Sequence, residues 1–297
     1  MQARGTVMKA LYDIAAPAKL NLFLHITGKR ADGYHLLQSV FALIDWCDTL
    51  HVELRNDGDI SREDLGTPLP AQDLIVRAAK ALQSVAATRK GVHITVDKKI
   101  PAQAGMGGGS SDAASCLLAL NRLWQLNLSL EQLSRIGLGL GADVPFFLTG
   151  RNAWVEGIGE KITPLDLEAG RYLVVKPPDG LQTGLIFGHP ALKIDTKNAT
   201  IAGFATNPRR FGSNDLQDVA QRLCPGVTQA LEWLGSRGMD GRMTGSGSAV
   251  FAWGPDGFQD TELGNVPCTF EARWCSGLDV HPLLGWASSD GLPVRGV

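Results

Sequence analysis

Apolar and polar positions alternate through the first part of the chain. Residues 10–56 contain two such runs, LYDIAAPAKLNLFLHIT and SVFALIDWCDTLHVEL, and both read as strands. Between them, Asp32-Gly33 predicts a turn. The period then lengthens. Residues 71–89 (AQDLIVRAAKALQSVAATR) form an amphipathic helical pattern, and 92–96 (VHITV) return to strand alternation. From Ser111 onward, Ala113, Leu117, Leu120 and Trp124 recur at helical spacing, which predicts a helix to about residue 126. A second helix is predicted from Ser129, an N-cap residue with Gln132 in the capping-box position. Phe146-Phe147-Leu148 reads as a short strand.

A softer boundary falls near 150–155. Beyond it, AWVEGIGEKITPL and YLVVKPP read as strands, and 190–212 as loop-rich chain. A helix from about Asp215 to Arg237 is expected to break near Pro225. Gly241 to Phe251 reads as a glycine turn leading into a strand. Strands and helices alternate irregularly, which predicts an α+β fold of two lobes with a ligand cleft between them. The expected division is 1–152 and 153–297, with the final residues free to pack back on the first lobe.

Composition narrows the function classes. The 297 residues carry 44% hydrophobic and 20% charged side chains, so the chain is globular. A net charge of −2 disfavours nucleic-acid and membrane-surface partners. No apolar run approaches bilayer length, and the N-terminal stretch lacks a signal-peptide core. The cysteines at 47, 116, 224, 268 and 275 show no paired spacing, which predicts free thiols and a cytoplasmic location.

The stretch from Pro101 to Ala114 carries the chemistry. Four glycines and two serines stand between a strand and a helix. A helix N-terminus has unpaired N–H groups and a positive dipole end, and glycine lets phosphate oxygens come close to the backbone. The loop is therefore a phosphate cradle. No lysine follows the glycines as in a Walker loop. Read from Gly105, the third glycine of a dinucleotide fingerprint falls on Ser110, so a dehydrogenase is disfavoured.

Three further segments complement the loop. Lys19, within PAKLNL, is a charge in an apolar strand and needs a partner or an edge facing water. Asp143, within GADVP, is a carboxylate at a sharp turn, or else a cap for the preceding helix end. Thr244-Gly-Ser-Gly-Ser248 does not fit the spacing of a serine nucleophile elbow. Phosphoryl transfer unites them: it needs a cradle, a cation at the transferring group and a carboxylate at the acceptor hydroxyl. Asp112 reads as stabilising the first turn of its helix, since a bare carboxylate would repel phosphate. His25, His51 and His93 lie in strand-like runs and receive no role.

PAKLNLFL, GMGGGSSDAA, GADVPFF and TGSGSAVF resemble the signatures of the GHMP small-molecule kinases. KRADGYH at 29–35 resembles, more narrowly, the branch that phosphorylates a cytidyl-diphosphate-linked methylerythritol in the non-mevalonate isoprenoid pathway. The resemblance spans about residues 13–253. It implies ATP held by Pro101, Ala102, Gln103, Ala104, Gly105, Met106, Gly107, Gly108, Gly109, Ser110 and Ser111. It implies Lys19 and Asp143 as the catalytic pair, and an aromatic slot for cytosine at Tyr34, His35 and Phe187. Asn21, Thr183, Gly245, Ser246 and Gly247 fall on the acceptor side. Mg²⁺ is expected with the nucleotide, with the Ser111 hydroxyl as a candidate ligand by analogy. The alternatives are a GHMP-type kinase for homoserine, a sugar or mevalonate, and a nucleotide-binding regulator without catalysis.

Overall fold

The computed structural model describes residues 8–168, 170–255 and 266–289. The chain opens with two long strands, β1 (Ala10–Lys29) and β2 (His35–Arg55). β3 (Ile60–Leu65), α1 (Leu74–Val85) and β4 (Gly91–Asp97) follow. Three helices come next: α2 (Gly108–Leu123), α3 (Leu130–Leu138) and α4 (Val144–Thr149). The later part holds β5 (Ala153–Gly157), β6 (Lys161–Pro164), β7 (Arg171–Lys176), α5 (Thr183–Phe187) and α6 (Ile201–Thr206). It ends with α7 (Gln217–Leu223), α8 (Pro225–Gly235), β8 (Gly241–Met243), β9 (Val250–Trp253) and β10 (Glu271–Leu278). The mixed composition is that of an α+β fold.

Strand β2 is the hub. It pairs antiparallel with β1, β4, β5 and β10 along different parts of its length. β10 then pairs with β7, which carries β9 and β8. β5 and β6, which follow residue 152, still hydrogen-bond into the β2 side. Asn152 joins the two sides: its side chain accepts from the Leu43 N–H at 2.8 Å and donates to the Leu278 carbonyl at 2.9 Å. Helices α1 and α2 cover the first part of the sheet through one apolar core that includes Leu82, Leu117 and Trp124. α7 and α8 cover the later strands through another, around Val219, Leu234 and Val250. After β10 the chain returns to the core beneath α1 and α2. Leu283 packs into it, and the Leu130 N–H donates to the Ser288 carbonyl at 2.9 Å. Residues 290–297 lie outside the described residues.

Several local readings hold, and one is corrected. Ser129 and Gln132 form a reciprocal capping box on α3. The expected break near Pro225 separates α7 from α8 at Cys224. Phe146-Phe147-Leu148 is not a strand but the body of α4. Pro145 sets a helical φ in the first turn, and Gly150 ends the helix at φ +70°. All three residues are buried, so an apolar run of this length carried no period to distinguish helix from strand.

Helix α4 is held by aromatic packing, with Phe146 edge-on to both Phe41 and Phe147. Phe146→Ala should lower stability by about 3–5 kcal/mol. The check is a fall in the denaturant midpoint at unchanged m-value. An unchanged midpoint would show that the site collapses around the cavity.

Candidate active site

The glycine loop leaves β4 and delivers the chain to α2. Gly107 caps the helix at φ +72°. A Cβ there would sit 3.0 Å from the Phe147 ring and 3.3 Å from Lys19 Cε, so glycine is required by both conformation and space. The Met106 carbonyl accepts the Lys19 backbone N–H at 3.0 Å, which fixes the loop to β1. The first N–H groups of α2, on Gly108, Gly109 and Ser110, have no partner within the helix and form the donor rim of the cradle.

Gln103 has a left-handed φ of +51°, uncommon for a residue other than glycine. Its carbonyl accepts the Ser248 N–H at 3.1 Å, and the Ala104 carbonyl accepts the Ala249 N–H at 3.2 Å. The glycine loop is thereby bonded to the turn between β8 and β9. Gly105 lies closest of all. A Cβ on it would approach the Thr244 carbonyl to 2.2 Å.

Lys19 points into the cleft from β1, just after a bulge between Pro17 and Ala18. Its Nζ is 3.6 Å from Asp143 Oδ2 and 4.3 Å above the Phe41 ring centroid. It also donates to Asn21 Oδ1. Asn21 passes the chain on: its Nδ2 donates to Ser39 Oγ at 2.9 Å, and Ser39 donates to the Phe23 carbonyl at 2.5 Å. The amide is thus locked with its oxygen toward Lys19. Burial lowers the Lys19 pKa, and the Asp143 carboxylate works against that shift. Asp143 stands at the N-cap position of α4 without a capping hydrogen bond, and its side chain remains 31% exposed to the cleft.

One cavity of about 780 Å³ is lined by most of the predicted residues: Lys19, Asn21, Asp143, the loop from Pro101 to Ser110, Gly245 to Gly247, Thr183 and Phe187. Thr183 Oγ1 lies 2.8 Å from Ser246 Oγ, joining α5 to the glycine turn. His35 meets Phe187 with ring centroids 5.3 Å apart and planes tilted by 35°. Burial, and then Lys29, lowers the His35 pKa, which favours a neutral ring.

Three expectations change. Tyr34 is 60% exposed on the turn after β1, and His35 rather than Tyr34 is the ring against Phe187. His35 is the first residue of β2, while Tyr34 still belongs to the turn and leaves its ring open to solvent. Ser111 does not face the cleft. It is fully buried, and its hydroxyl donates to the Pro17 carbonyl at 2.7 Å, so it is unavailable to a metal. Asp112 lies beyond the first turn of α2 and is buried, with its Oδ2 accepting from Lys98 Nζ at 2.6 Å. It therefore does not serve as a solvent-facing helix-start charge.

Sequence reasoning missed the residues that hold the others. Ser39 and Phe41 looked like ordinary members of an alternating strand. Thr244 Oγ1 accepts the Asn21 N–H at 2.9 Å, and Asn214 Nδ2 donates to the Met243 and Gly245 carbonyls, each at 2.8 Å. Asn214 sits in a polar loop, and no local signal marks it as an anchor.

Sequence profiles agree with this architecture. Residues 73–151 match the GHMP kinases N terminal domain, and 197–264 match the GHMP kinases C terminal domain. The fold is that of the GHMP kinases. A mevalonate kinase from Methanococcus jannaschii shares it at TM-score 0.62 and 14% identity, covering 93% of this chain and 99% of that one. The chain is 70% identical to a 4-diphosphocytidyl-2-C-methyl-D-erythritol kinase of Albidiferax ferrireducens, covering 97% of this chain and 99% of the relative. It is 64% identical to the enzyme of that name from Variovorax paradoxus, covering 95% and 100%. A crystal structure of 4-(cytidine 5'-diphospho)-2C-methyl-D-erythritol kinase superposes at TM-score 0.70 with 35% identity, covering 80% of this chain and 88% of that one. The chain belongs to the 4-diphosphocytidyl-2-C-methyl-D-erythritol kinase family.

The buried ammonium gives a pH test. Lys19 is charged below its pKa and neutral above it. Because burial lowers that pKa, the basic limb of the transfer rate should fall below the ordinary lysine range. Lys19→Arg should move the limb upward while reducing kcat, since guanidinium holds its proton to higher pH. An unmoved limb in that variant would assign the titration to another group.

Proposed function

We propose that the chain transfers the γ-phosphoryl group of ATP to the 2-hydroxyl of 4-diphosphocytidyl-2-C-methyl-D-erythritol, a step of non-mevalonate isoprenoid precursor synthesis. The single observation that carries the reading is the convergence in one cavity of the open N-terminus of α2, the Lys19–Asp143 pair and the Phe187 ring. These supply a phosphate cradle, a paired cation and carboxylate, and an apolar platform for a base.

The roles follow from the geometry. The donor rim of α2 holds the triphosphate, placing negative charge where the helix dipole is positive. Asp143 orients the acceptor hydroxyl and takes its proton. Lys19, held by Asn21 and Phe41, keeps Asp143 ionised and offsets the charge that builds on the transferring group. His35 and Phe187 receive the cytosine. Gly245 to Gly247 and Thr183 border the acceptor between these two ends. The division near residue 152 is functional: the glycine loop lies before it and the acceptor turn after it, while the sheet passes through.

Mg²⁺ enters this reading on the nucleotide's own phosphates. Among the described residues no cluster of three or more acidic, histidine or cysteine side chains forms a metal cage. The free state of all five cysteines supports a reducing, cytoplasmic setting. Among the described residues no helix is long and apolar enough to cross a membrane.

ADP release over a panel of acceptors tests the reading. The cytidyl-linked compound should be turned over efficiently, and methylerythritol phosphate without the cytidyl group only poorly, because remote binding energy positions the reacting hydroxyl. Equal turnover of both would refute the cytosine site. Homoserine or mevalonate as the preferred acceptor would move the chain to another branch of the fold.

Asp143→Asn should lower the single-turnover rate by about 10²–10⁴-fold with both substrates saturating. The amide keeps the shape but can neither accept the proton nor pair with Lys19. Near-normal transfer by this variant would remove Asp143 from the chemistry.

A further inference from the structure

Where the glycine loop begins and where it ends, the chain is drawn together over one buried carboxylate. Asp48, on β2, is fully buried. Its Oδ1 accepts the backbone N–H groups of Lys99 and Ile100, at 2.5 and 2.8 Å, just before the loop. Trp46, two residues earlier on the same strand, donates its indole N–H to the Lys99 carbonyl at 2.8 Å. Asp48 Oδ2 pairs with Lys98 Nζ, and the same ammonium donates to Asp112 Oδ2 on α2 at 2.6 Å. The first helical residue closes the ring of contacts. A Cβ on Gly108 would lie 3.0 Å from Ile100 Cγ2 and 3.6 Å from Asp48 Oδ2.

Lys98 and Asp112 both line the nucleotide side of the cavity, yet the ammonium is turned inward and spent on two carboxylates. Its side chain is only 17% exposed. Burial works against its charge, but Asp112 and Asp48 together outweigh burial and raise its pKa, so it stays an ammonium. Asp112 Oδ1 is buried without a hydrogen-bond partner. Burial raises the pKa of Asp112, Lys98 opposes the shift and Asp48 adds to it. A surface charge pair would need none of this arrangement. Exposed pairs contribute little, and buried ones are costly to assemble.

We propose that Asp48, Lys98 and Asp112 form a clasp at the neck of the glycine loop, and that Lys98 and Asp112 are positioning residues for ATP rather than its ligands. Asp48 pins the chain ahead of Pro101, and Lys98 ties that point to α2. The loop from Pro101 to Gly107 therefore projects from a closed neck. Its N–H groups are arranged before the nucleotide arrives, so binding spends less free energy on ordering them. Release of the clasp leaves the loop sequence intact but lets its two ends separate.

The inference rests on the assignment of the glycine loop to ATP. The test is the double variant Lys98→Met/Asp112→Asn, which removes the tie while Asp48 keeps both backbone N–H bonds. Initial rates give KM for ATP and for the acceptor, and a binding titration gives Kd for ADP. The expected result is a rise of about tenfold in the ATP KM and the ADP Kd, with the acceptor KM within about twofold of wild type. Lys98→Arg, which can still bridge both carboxylates, should recover most of the loss. A purely structural role would instead lower the thermal midpoint and move both KM values together. That outcome, or unaltered ATP and ADP constants in a folded double variant, overturns the clasp. If the double variant does not fold, Asp112→Asn alone decides by the same split between ATP and acceptor. Failure of the parent assignment is read separately, as absence of ATP-dependent transfer and of ADP binding in the wild-type protein.

Discussion

A lysine ammonium inside an apolar sheet constrains everything around it. Lys19 is almost fully buried, and an unpaired charge there would be prohibitively expensive. The groups that make its burial tolerable are Asp143 from the start of α4, Phe41 from β2 and Asn21 from its own strand. The charge is kept only when β1, β2 and α4 are in place together, and the loop is tied to the same strand through the Lys19 backbone N–H. The same charge is the one phosphoryl transfer requires. Stability and chemistry therefore bear on one side chain, and the scaffold cannot relax around it without losing the site.

The cleft separates two uses of charge. On the catalytic side, Asp143 keeps part of its surface open to the cleft, and Lys19 pairs with it across 3.6 Å. On the nucleotide side, Lys98 is engaged by two carboxylates, Asp48 and Asp112. In the proposed reading the triphosphate is met by backbone N–H groups of the glycine loop and α2. Neutral dipoles fixed by the fold need little reorganisation when charge shifts during transfer, whereas a mobile lysine would follow the phosphate.

Much of this was legible in the chain because its signals are local. The glycine loop, the lone lysine in PAKLNL and the carboxylate in GADVP each break the pattern of their surroundings, and the fold brings them to one cavity. The errors have physical reasons. Phe146 to Leu148 is buried on every side, so hydrophobic period could not distinguish helix from strand. Asp112 looked like a helix-start charge because its partner, Lys98, lies in the segment before the loop and reaches it only after the neck closes. Tyr34 and His35 are adjacent, and only the fold shows that the His35 ring meets Phe187. Asn214, Thr244 and Ser39 act through hydrogen bonds between distant segments, which no local pattern records.

The backbone seam between the glycine loop and the β8–β9 turn bears on how the two substrates meet. Gln103 and Ala104 accept hydrogen bonds from Ser248 and Ala249, and Gly105 lies where even a methyl group would collide with the Thr244 carbonyl. The ATP-side loop and the acceptor-side turn are therefore one piece of masonry, not two jaws. In the proposed reading, the span from donor phosphate to acceptor hydroxyl is set along this bonded line when the protein folds.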